Sequence, residues 1–188
     1  MWKLLILSLL FVVAAVGQLH VARKDEYIVF PRTQWAHKLV KVEKTWEDAQ
    51  KHCQAEGASL TGFDSYAEVE HVYNTLLKHE NTSAGFYVGG KRRDECTESG
   101  FNPNPLDKCG RPNVFQWVNK VASNPITDNM WTVAIGGALN PNHASSNQNC
   151  LIVRAVTPDW MDISKGGYLD DIACVYKLWF ICGKKPSS

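Results

Sequence analysis

Six cysteines constrain this chain more than any other feature of its 188 residues. An even number of cysteines in an extracellular chain of this size is typical of a disulfide framework, because disulfides persist in oxidising compartments. No two cysteines have CxxC spacing and the six histidines are scattered, so the sequence does not indicate a structural zinc site. Spacing alone leaves the pairing of the cysteines open.

The N-terminus places the chain in such a compartment. Residues 4–16 are apolar apart from Ser8, and small residues lie three and one positions before Gln18. This pattern predicts a secretory signal peptide over 1–17, with an uncleaved signal anchor as the alternative. The apolar run is shorter than the roughly 20 residues that span a bilayer. We therefore expect a secreted, extracellular chain with no membrane span.

Composition indicates a globular domain. Hydrophobic residues make up 45% of the chain, and 20 Lys and Arg against 19 Asp and Glu leave a net charge of only +1. Such a balance argues against disorder and gives no basic field for nucleic acid. With no repeat or long linker, the simplest division is a short segment 18–26, one domain over 27–183 and a flexible tail over 184–188.

Two helices are predicted in the first half of the domain. In the first, Thr45 is a helix cap with Asp48 three residues later, and the helix stops at Gly57. In the second, Ser65 and Glu68 form a capping box. Apolar residues then follow the spacing of one buried helix face. They are Val69, Val72, Tyr73, Leu76 and Leu77.

The second half of the domain has the character of short strands. Apolar runs at 86–88, 115–118, 151–153 and 178–181 are separated by long polar stretches. The stretch 122–149 is rich in Asn, Pro, Gly and Ser but contains large apolar residues. We interpret it as a long ordered loop, and loops of this length are usually functional.

Short motifs follow one another in a fixed order over 46–182. They are Trp46-Glu47-Asp48-Ala49-Gln50 with Cys53, Phe86-Tyr87-Val88-Gly89-Gly90, Phe115-Gln116-Trp117, Asn140-Pro141-Asn142, Cys150, Asp170-Asp171 before Cys174, and Phe180-Ile181-Cys182. In order and spacing this set resembles the C-type lectin-like domain. The resemblance implies an α+β fold of two helices and two small antiparallel sheets, with a long loop that carries the ligand site.

The resemblance also implies two disulfides, Cys53 with Cys182 and Cys150 with Cys174. The first would tie the two ends of the domain together, and closing so long a loop stabilises by up to about 4 to 5 kcal/mol in the entropic model. Cys96 and Cys109 are additional to these family pairs. We expect them to bond to each other, with an intermolecular bridge as the alternative.

Calcium enters through the resemblance. In sugar-binding members, side-chain oxygens of the long loop hold a Ca²⁺ ion that itself bonds sugar hydroxyls. By position, the metal and carbohydrate ligands correspond to Asn140, Asn142, Gln148, Asp170 and Asp171. The family pattern usually has more carboxylates at these positions, so calcium binding is expected to be weakened.

Each of these assignments has an alternative. Asn140-Pro141-Asn142 is also ordinary turn chemistry, and Asp170-Asp171 could be a solvated turn between strands. Trp160-Met161-Asp162 competes with Asp170-Asp171 as the later family motif, although its spacing to the following cysteine fits less well.

Two functions remain. No nucleophile, metalloprotease or phosphate-binding motif is present, so the sequence does not indicate an enzyme. The first hypothesis is a calcium-dependent lectin that binds glycans or glycoproteins, such as those on cell or microbial surfaces. The second is a calcium-independent module of the same fold that binds a protein or another non-sugar surface. Asn81-Thr82-Ser83 predicts N-glycosylation of Asn81.

Overall fold

The chain is described here as a computed structural model. The structure describes residues 26–80, 82, 85–97, 101–120, 122, 125–133, 140–143, 147–154 and 167–185. The predicted signal peptide and Asn81 lie outside the described residues.

Eight strands and two α-helices are present in the described part of the chain. The strands are β1 (Ile28–Phe30), β2 (Trp35–Lys44), β3 (Ser59–Leu60), β4 (Phe86–Arg92), β5 (Phe115–Trp117), β6 (Cys150–Val153), β7 (Leu169–Ile172) and β8 (Leu178–Lys184). The helices are α1 (Trp46–Ala55) and α2 (Tyr66–Val72). This content confirms the α+β fold.

The strands form two antiparallel groups, which are joined by one parallel pairing. The first group joins β1, β2, β3 and β8, and the second joins β4 with β5 and β6, and β6 with β7. A short parallel pairing between β4 and β8 connects the groups, giving the order β1-β2-β8-β4-β6-β7. The two small sheets implied by the resemblance are therefore the two halves of one sheet.

Helix α1 follows its sequence signals closely. The Thr45 side chain accepts a hydrogen bond from the Asp48 amide (3.3 Å), and Trp46, Ala49 and Cys53 are buried. Past the end of the helix, Gly57 has φ of +68°, a conformation that favours glycine. The apolar stripe and the cap together fix where this helix begins and which face it buries.

Helix α2 corrects the predicted capping box. Ser65 is the N-cap residue, but its side chain makes no capping bond. The carboxylate of Glu68 instead accepts hydrogen bonds from the Asp64 amide (2.7 Å) and the Thr33 hydroxyl (2.8 Å). The capping box was wrong because Glu68 is drawn into a buried polar network. A π-helical segment, Tyr73–Leu77, continues α2.

Three disulfides staple the fold. Cys53 bonds Cys182, Cys150 bonds Cys174, and Cys96 bonds Cys109. These are the expected pairings, and the Cys96–Cys109 bond is intramolecular. The Cys150–Cys174 bond joins β6 to the segment after β7, which fixes the base of the long-loop region.

The core contains most of the large aromatic residues. Trp117 and Trp131 lie in one buried cluster with residues of α2, β4 and β6. A second cluster, around Trp46 and Phe180, contains the Cys53–Cys182 bond. No helix within the described ranges is long and apolar enough to cross a membrane.

Candidate functional site

Strand β7 carries the two acidic residues of the candidate site. Asp170 and Asp171 are adjacent in the strand, so their side chains point to opposite faces of the sheet. Both are buried, at 3% and 1% exposure. The structure therefore excludes the alternative that they form a solvated turn, and each carboxylate needs its own set of partners.

Asp171 holds the beginning of the long-loop segment 140–143. Its Oδ1 accepts a hydrogen bond from the Asn142 amide (3.0 Å), and its Oδ2 accepts one from the His143 amide (2.9 Å). The guanidinium of Arg92, at the end of β4, donates to the same Oδ2 through Nη2 (3.3 Å). Arg92 and Asp171 are both fully buried in this ion pair. We call Arg92, Asn142, His143 and Asp171 the Arg92 site.

Asp170 has a separate cationic partner. Arg154, just after β6, donates to Asp170 Oδ2 through Nε (2.7 Å) and through Nη2. The backbone amide of Asp171 donates to the other oxygen of Asp170 (3.0 Å). Each acidic residue of β7 is thus matched by one arginine.

The electrostatics of β7 are dominated by burial. Burial raises the pKa of Asp171 above its ordinary value, and the amides of His143 and Asn142 and the charge of Arg92 oppose that rise. Burial also raises the pKa of Asp170, against the charge of Arg154. The two arginines therefore offset part of the cost of keeping two neighbouring carboxylates away from water.

The asparagines of the triplet bond to each other. Asn142 donates from Nδ2 to Asn140 Oδ1 (2.8 Å), and Asn140 donates from its own Nδ2 to the hydroxyl of Thr132 (2.6 Å). Arg111 donates through Nε to the carbonyl of Asn140 (2.8 Å). Asn140 is buried and Asn142 is exposed, so only the second presents its side chain to solvent.

Gln148 contributes its backbone carbonyl to the same region. This carbonyl accepts a hydrogen bond from Arg92 Nε (3.2 Å) and lies 3.4 Å from His143 Nδ1. Its side-chain Oε1 is buried and has no hydrogen-bond partner among the described residues. The other ring nitrogen of His143 lies 3.1 Å from the carbonyl of Thr97, next to the Cys96–Cys109 bond.

Four of the five predicted site residues therefore lie around one point of the fold. Asn140, Asn142 and Asp171 are joined by hydrogen bonds, and Gln148 reaches them through Arg92. Asp170 lies on the opposite face with Arg154. The competing Trp160-Met161-Asp162 motif lies outside the described residues.

The residues that sequence reasoning missed are the cations. Arg92 follows the family motif Phe86-Tyr87-Val88-Gly89-Gly90, but nothing in its local pattern shows that it is buried. Its position offers one signal: a charged residue at the end of a strand whose neighbours are buried needs an opposite charge elsewhere in the core.

The donor set can be tested against a calcium ion. Calcium prefers six to eight oxygen ligands with net negative charge. Here the carboxylates of Asp170 and Asp171 are matched by two guanidinium groups, and Arg92 contacts both Asp171 and the carbonyl of Gln148. The arginine thus bonds oxygens that would have to turn to a metal ion. The side-chain oxygen of Gln148, which has no hydrogen-bond partner among the described residues, is chemically suited to a metal ligand.

As they are arranged, these residues do not fit a calcium ion. Within the described residues, no group of three or more His, Cys, Asp and Glu side chains is gathered to hold a metal. The calcium site predicted from sequence stays a prediction, and we derive no function from it.

Comparison with known proteins extends this picture. The family of C-type lectin domain-containing protein 141/158 matches residues 31–181. A secretory phospholipase A2 receptor from Homo sapiens is 31% identical over 154 residues, covering 82% of this chain and 8% of the receptor. A hemolymph lipopolysaccharide-binding protein from Periplaneta americana is 26% identical over 152 residues, covering 78% of this chain and 47% of that protein. The chain thus spans less than half the length of these relatives.

A solved structure supports the fold. The calcium-independent C-type lectin SPL-2 from Saxidomus purpuratus superimposes with a TM-score of 0.55 at 15% identity. The match covers 86% of this chain and 93% of the other. At this identity the likeness concerns the fold alone.

Proposed function

We propose that this chain, which belongs to the C-type lectin domain family, is an extracellular module that binds saccharides at its long loop without calcium. The observation that carries the proposal is the buried Arg92–Asp171 pair. The guanidinium group of Arg92 neutralises Asp171 and bonds a loop oxygen, as a bound metal ion would do in a calcium-dependent site.

Arg92 is well placed for that work. Its Nε and Nη2 bond the Gln148 carbonyl and Asp171, and its backbone amide donates to the carbonyl of Asn149 (2.9 Å). These bonds connect β4, β7 and the end of the long loop. Since Asp171 also receives two amides of the loop, one ion pair organises both ends of the described loop segments. Groups of the protein itself therefore hold the described segments 140–143 and 147–149.

The long-loop face offers amide groups to a ligand. Asn142 and Asn147 are exposed, and Gln148 adds a buried amide oxygen without a partner. A side-chain amide both donates and accepts, so a group of amides can match the hydroxyls of a sugar ring. The relative that is named for binding lipopolysaccharide supports this ligand class.

The disulfides and the side chains of the Arg92 site fit a binding role. Three disulfides in one domain of this size are typical of extracellular proteins. The Arg92 site has a carboxylate fully engaged in hydrogen bonds and an arginine that cannot lose its proton, so neither group is available as a general base. We accordingly assign recognition, not catalysis, to this site.

A glycan array of the refolded chain tests the proposal, run once with calcium and once with a chelator. We expect the same glycans to be retained in both conditions. Asn142→Ala and Asn147→Ala should each lower retention several-fold, because each removes an exposed amide. Asn74→Ala is the matched control, since Asn74 is an exposed asparagine in the π-helical segment after α2.

Two outcomes would contradict the proposal. Retention that the chelator abolishes would restore the calcium-dependent lectin. An array that shows no retained glycan, from a chain whose circular dichroism is native, would favour a module that binds a protein or another non-sugar surface. Asn147→Ala guards against a folding artefact, because no hydrogen bond of the Asn147 side chain holds the described loop.

A further inference from the structure

We propose that a cleft beside β5 is a second ligand site, and that it takes a sugar residue bearing an anionic group. The cleft has a volume of about 210 Å³ and is lined in part by Arg93, Asn113, Gln116 and Trp117. This proposal does not rest on the long-loop function above, since none of these residues belongs to the Arg92 site.

The cleft is separate from the Arg92 site. Arg92 and Arg93 are consecutive at the end of β4, but Arg92 is buried and Arg93 is partly exposed. The Arg92 guanidinium packs on the ring of Phe115 at 4.7 Å, and Phe115 also lines the cleft. Phe115 thus contacts both regions and is itself 3% exposed.

The charge of the cleft points to an anion. Arg93 is the only charged residue among those that line it. Three other arginines of this half of the molecule each pair with an aspartate: Arg92 with Asp171, Arg111 with Asp128 and Arg154 with Asp170. In the part of the chain that the structure describes, no carboxylate lies within 4.0 Å of Arg93.

Arg93 is nevertheless held in place. Its Nε donates to the backbone carbonyl of Asn113 (2.8 Å), and its Nη1 donates to the side-chain oxygen of Gln116 (3.3 Å). Both acceptors are neutral, so they fix the guanidinium without neutralising it. A pre-positioned cation of this kind loses little side-chain entropy when it binds an anion.

The remaining wall of the cleft suits a sugar ring. Gln116 is exposed, and its amide NH₂ can donate to a ligand oxygen once its own oxygen is bonded by Arg93. Trp117 is 8% exposed, so only a small part of its ring faces the cleft, and its indole N–H is buried. Pro112 and Pro125 supply a small apolar part of a lining that is mostly polar. The cleft is open to solvent on one side, and its volume of about 210 Å³ accommodates a group the size of one pyranose ring.

Titration of ¹⁵N-labelled protein with glucuronate, glucose and acetate tests this site. We expect glucuronate to shift the Gln116 side-chain amide and the Arg93 Nε resonance, and to bind at least about tenfold more tightly than glucose or acetate. A charge-assisted hydrogen bond and the ring contacts are both needed for that difference.

Variants separate the anion from the ring. Arg93→Met should weaken glucuronate binding about tenfold while Arg93→Lys retains part of it, because lysine keeps the charge and loses the fork geometry. Arg32→Met is the matched control, since Arg32 is an exposed arginine in the turn after β1. Asn142→Ala should leave the glucuronate-induced shifts of the Gln116 amide and of Arg93 Nε unchanged, which distinguishes this cleft from the long-loop face.

The outcomes are decisive in both directions. Glucuronate shifts confined to the long loop, or a wild-type protein that shows no shifts, would overturn the second site. Equal affinity for glucose would overturn the role of the anion, and equal affinity for acetate would overturn the role of the ring. Unchanged binding in a folded Arg93→Met variant would overturn the assignment to Arg93.

Discussion

Two buried polar clusters hold this domain, and they are built on opposite principles. The Arg92 site joins strand ends and loop through a full ion pair. The second cluster, the His37 network, consists of Thr33, Trp35, His37, Thr61 and Glu68 between β2, the segment after β3, and α2. In it, Thr61 Oγ1 accepts from Trp35 Nε1 (3.1 Å) and lies 2.8 Å from His37 Nδ1, while His37 Nε2 lies 3.3 Å from Glu68.

The two clusters differ in how their acid is satisfied. Hydrogen bonds from His37, the Asp64 amide and Thr33 outweigh burial and lower the pKa of Glu68. At Asp171 the balance is reversed, and burial raises the pKa. The donors around Glu68 thus outweigh burial, whereas the two loop amides and Arg92 together do not outweigh the burial of Asp171. The stability that the Arg92 site contributes should therefore depend on keeping both Arg92 and Asp171. The stability that the His37 network contributes should depend on pH.

Removing Arg92 should have the largest effect. Arg92→Met leaves Asp171 buried without its cation, and we expect a loss of about 3 to 5 kcal/mol in the free energy of unfolding. The double variant Arg92→Met/Asp171→Asn should recover a substantial part of this loss, because it removes the uncompensated charge. Urea unfolding measures both.

The exposed pair of Lys51 with Asp48 provides the control for that comparison. Lys51→Met should change stability by less than about 1 kcal/mol, as exposed ion pairs do. An Arg92→Met variant as stable as Lys51→Met would show that the buried pair does not hold the loop.

Disrupting the His37 network should cost less. Thr61→Val keeps the shape of a fully buried side chain but removes the acceptor of Trp35 Nε1 and the partner of His37 Nδ1. We expect a loss of about 1 to 3 kcal/mol, the cost of an unsatisfied buried polar group. Thr75→Val is the matched control at an exposed threonine, and an equal effect of the two changes would contradict the importance of the network.

The response to acid should come mainly from His37. Burial lowers the pKa of His37 in the folded state, so below the ordinary value of about 6.5 only the unfolded chain takes up this proton. Stability should therefore fall as pH drops below about 6.5, and Glu68 should add a further loss below about 4.3, because its folded pKa is lowered.

Asp171 should contribute with the opposite sign, since its raised pKa means that stability falls as pH rises from about 3.9 through the folded pKa. Denaturant midpoints from pH 3.5 to 7.5 measure the sum. In His37→Gln the loss between pH 6.5 and 5 should be reduced, and an unchanged slope in that variant would assign the acid response to other groups.

Calcium should have the smallest effect. We expect the thermal midpoint of the wild-type chain to be the same in calcium, magnesium and a chelator, because Arg92 already bonds the oxygens that a metal would need. A rise that grows with calcium concentration and is not matched by magnesium would show binding to the folded state. That result would mean that Arg92 gives up its bonds to Asp171 and Gln148 when calcium binds, and it would favour the calcium-dependent lectin.

Several local features were predictable because they depend on neighbours in the chain. Helix α1 has its cap, Thr45, and its terminal glycine, Gly57, close together in the chain, and the structure reproduces both. The four apolar runs of the second half became β4, β5, β6 and β8. Strand β2 was missed, since its burial pattern follows the sheet it joins and not a simple alternation.

What the sequence by itself determined about this protein is the position of its helices and of four of its strands, which periodicity and turn residues encode. Its disulfide pairing, its fold class and the segment of the candidate site followed from the motif order that resembles the C-type lectin-like domain, because cysteine spacing alone left the pairing open. Only the tertiary structure decided which charges meet. Arg92 and Asp171 are 79 residues apart, and Glu68 left its expected cap for donors on β2 and the turn before it. A buried charge is stabilised by whatever group the fold brings within a few ångströms, and that proximity is a property of the packed chain.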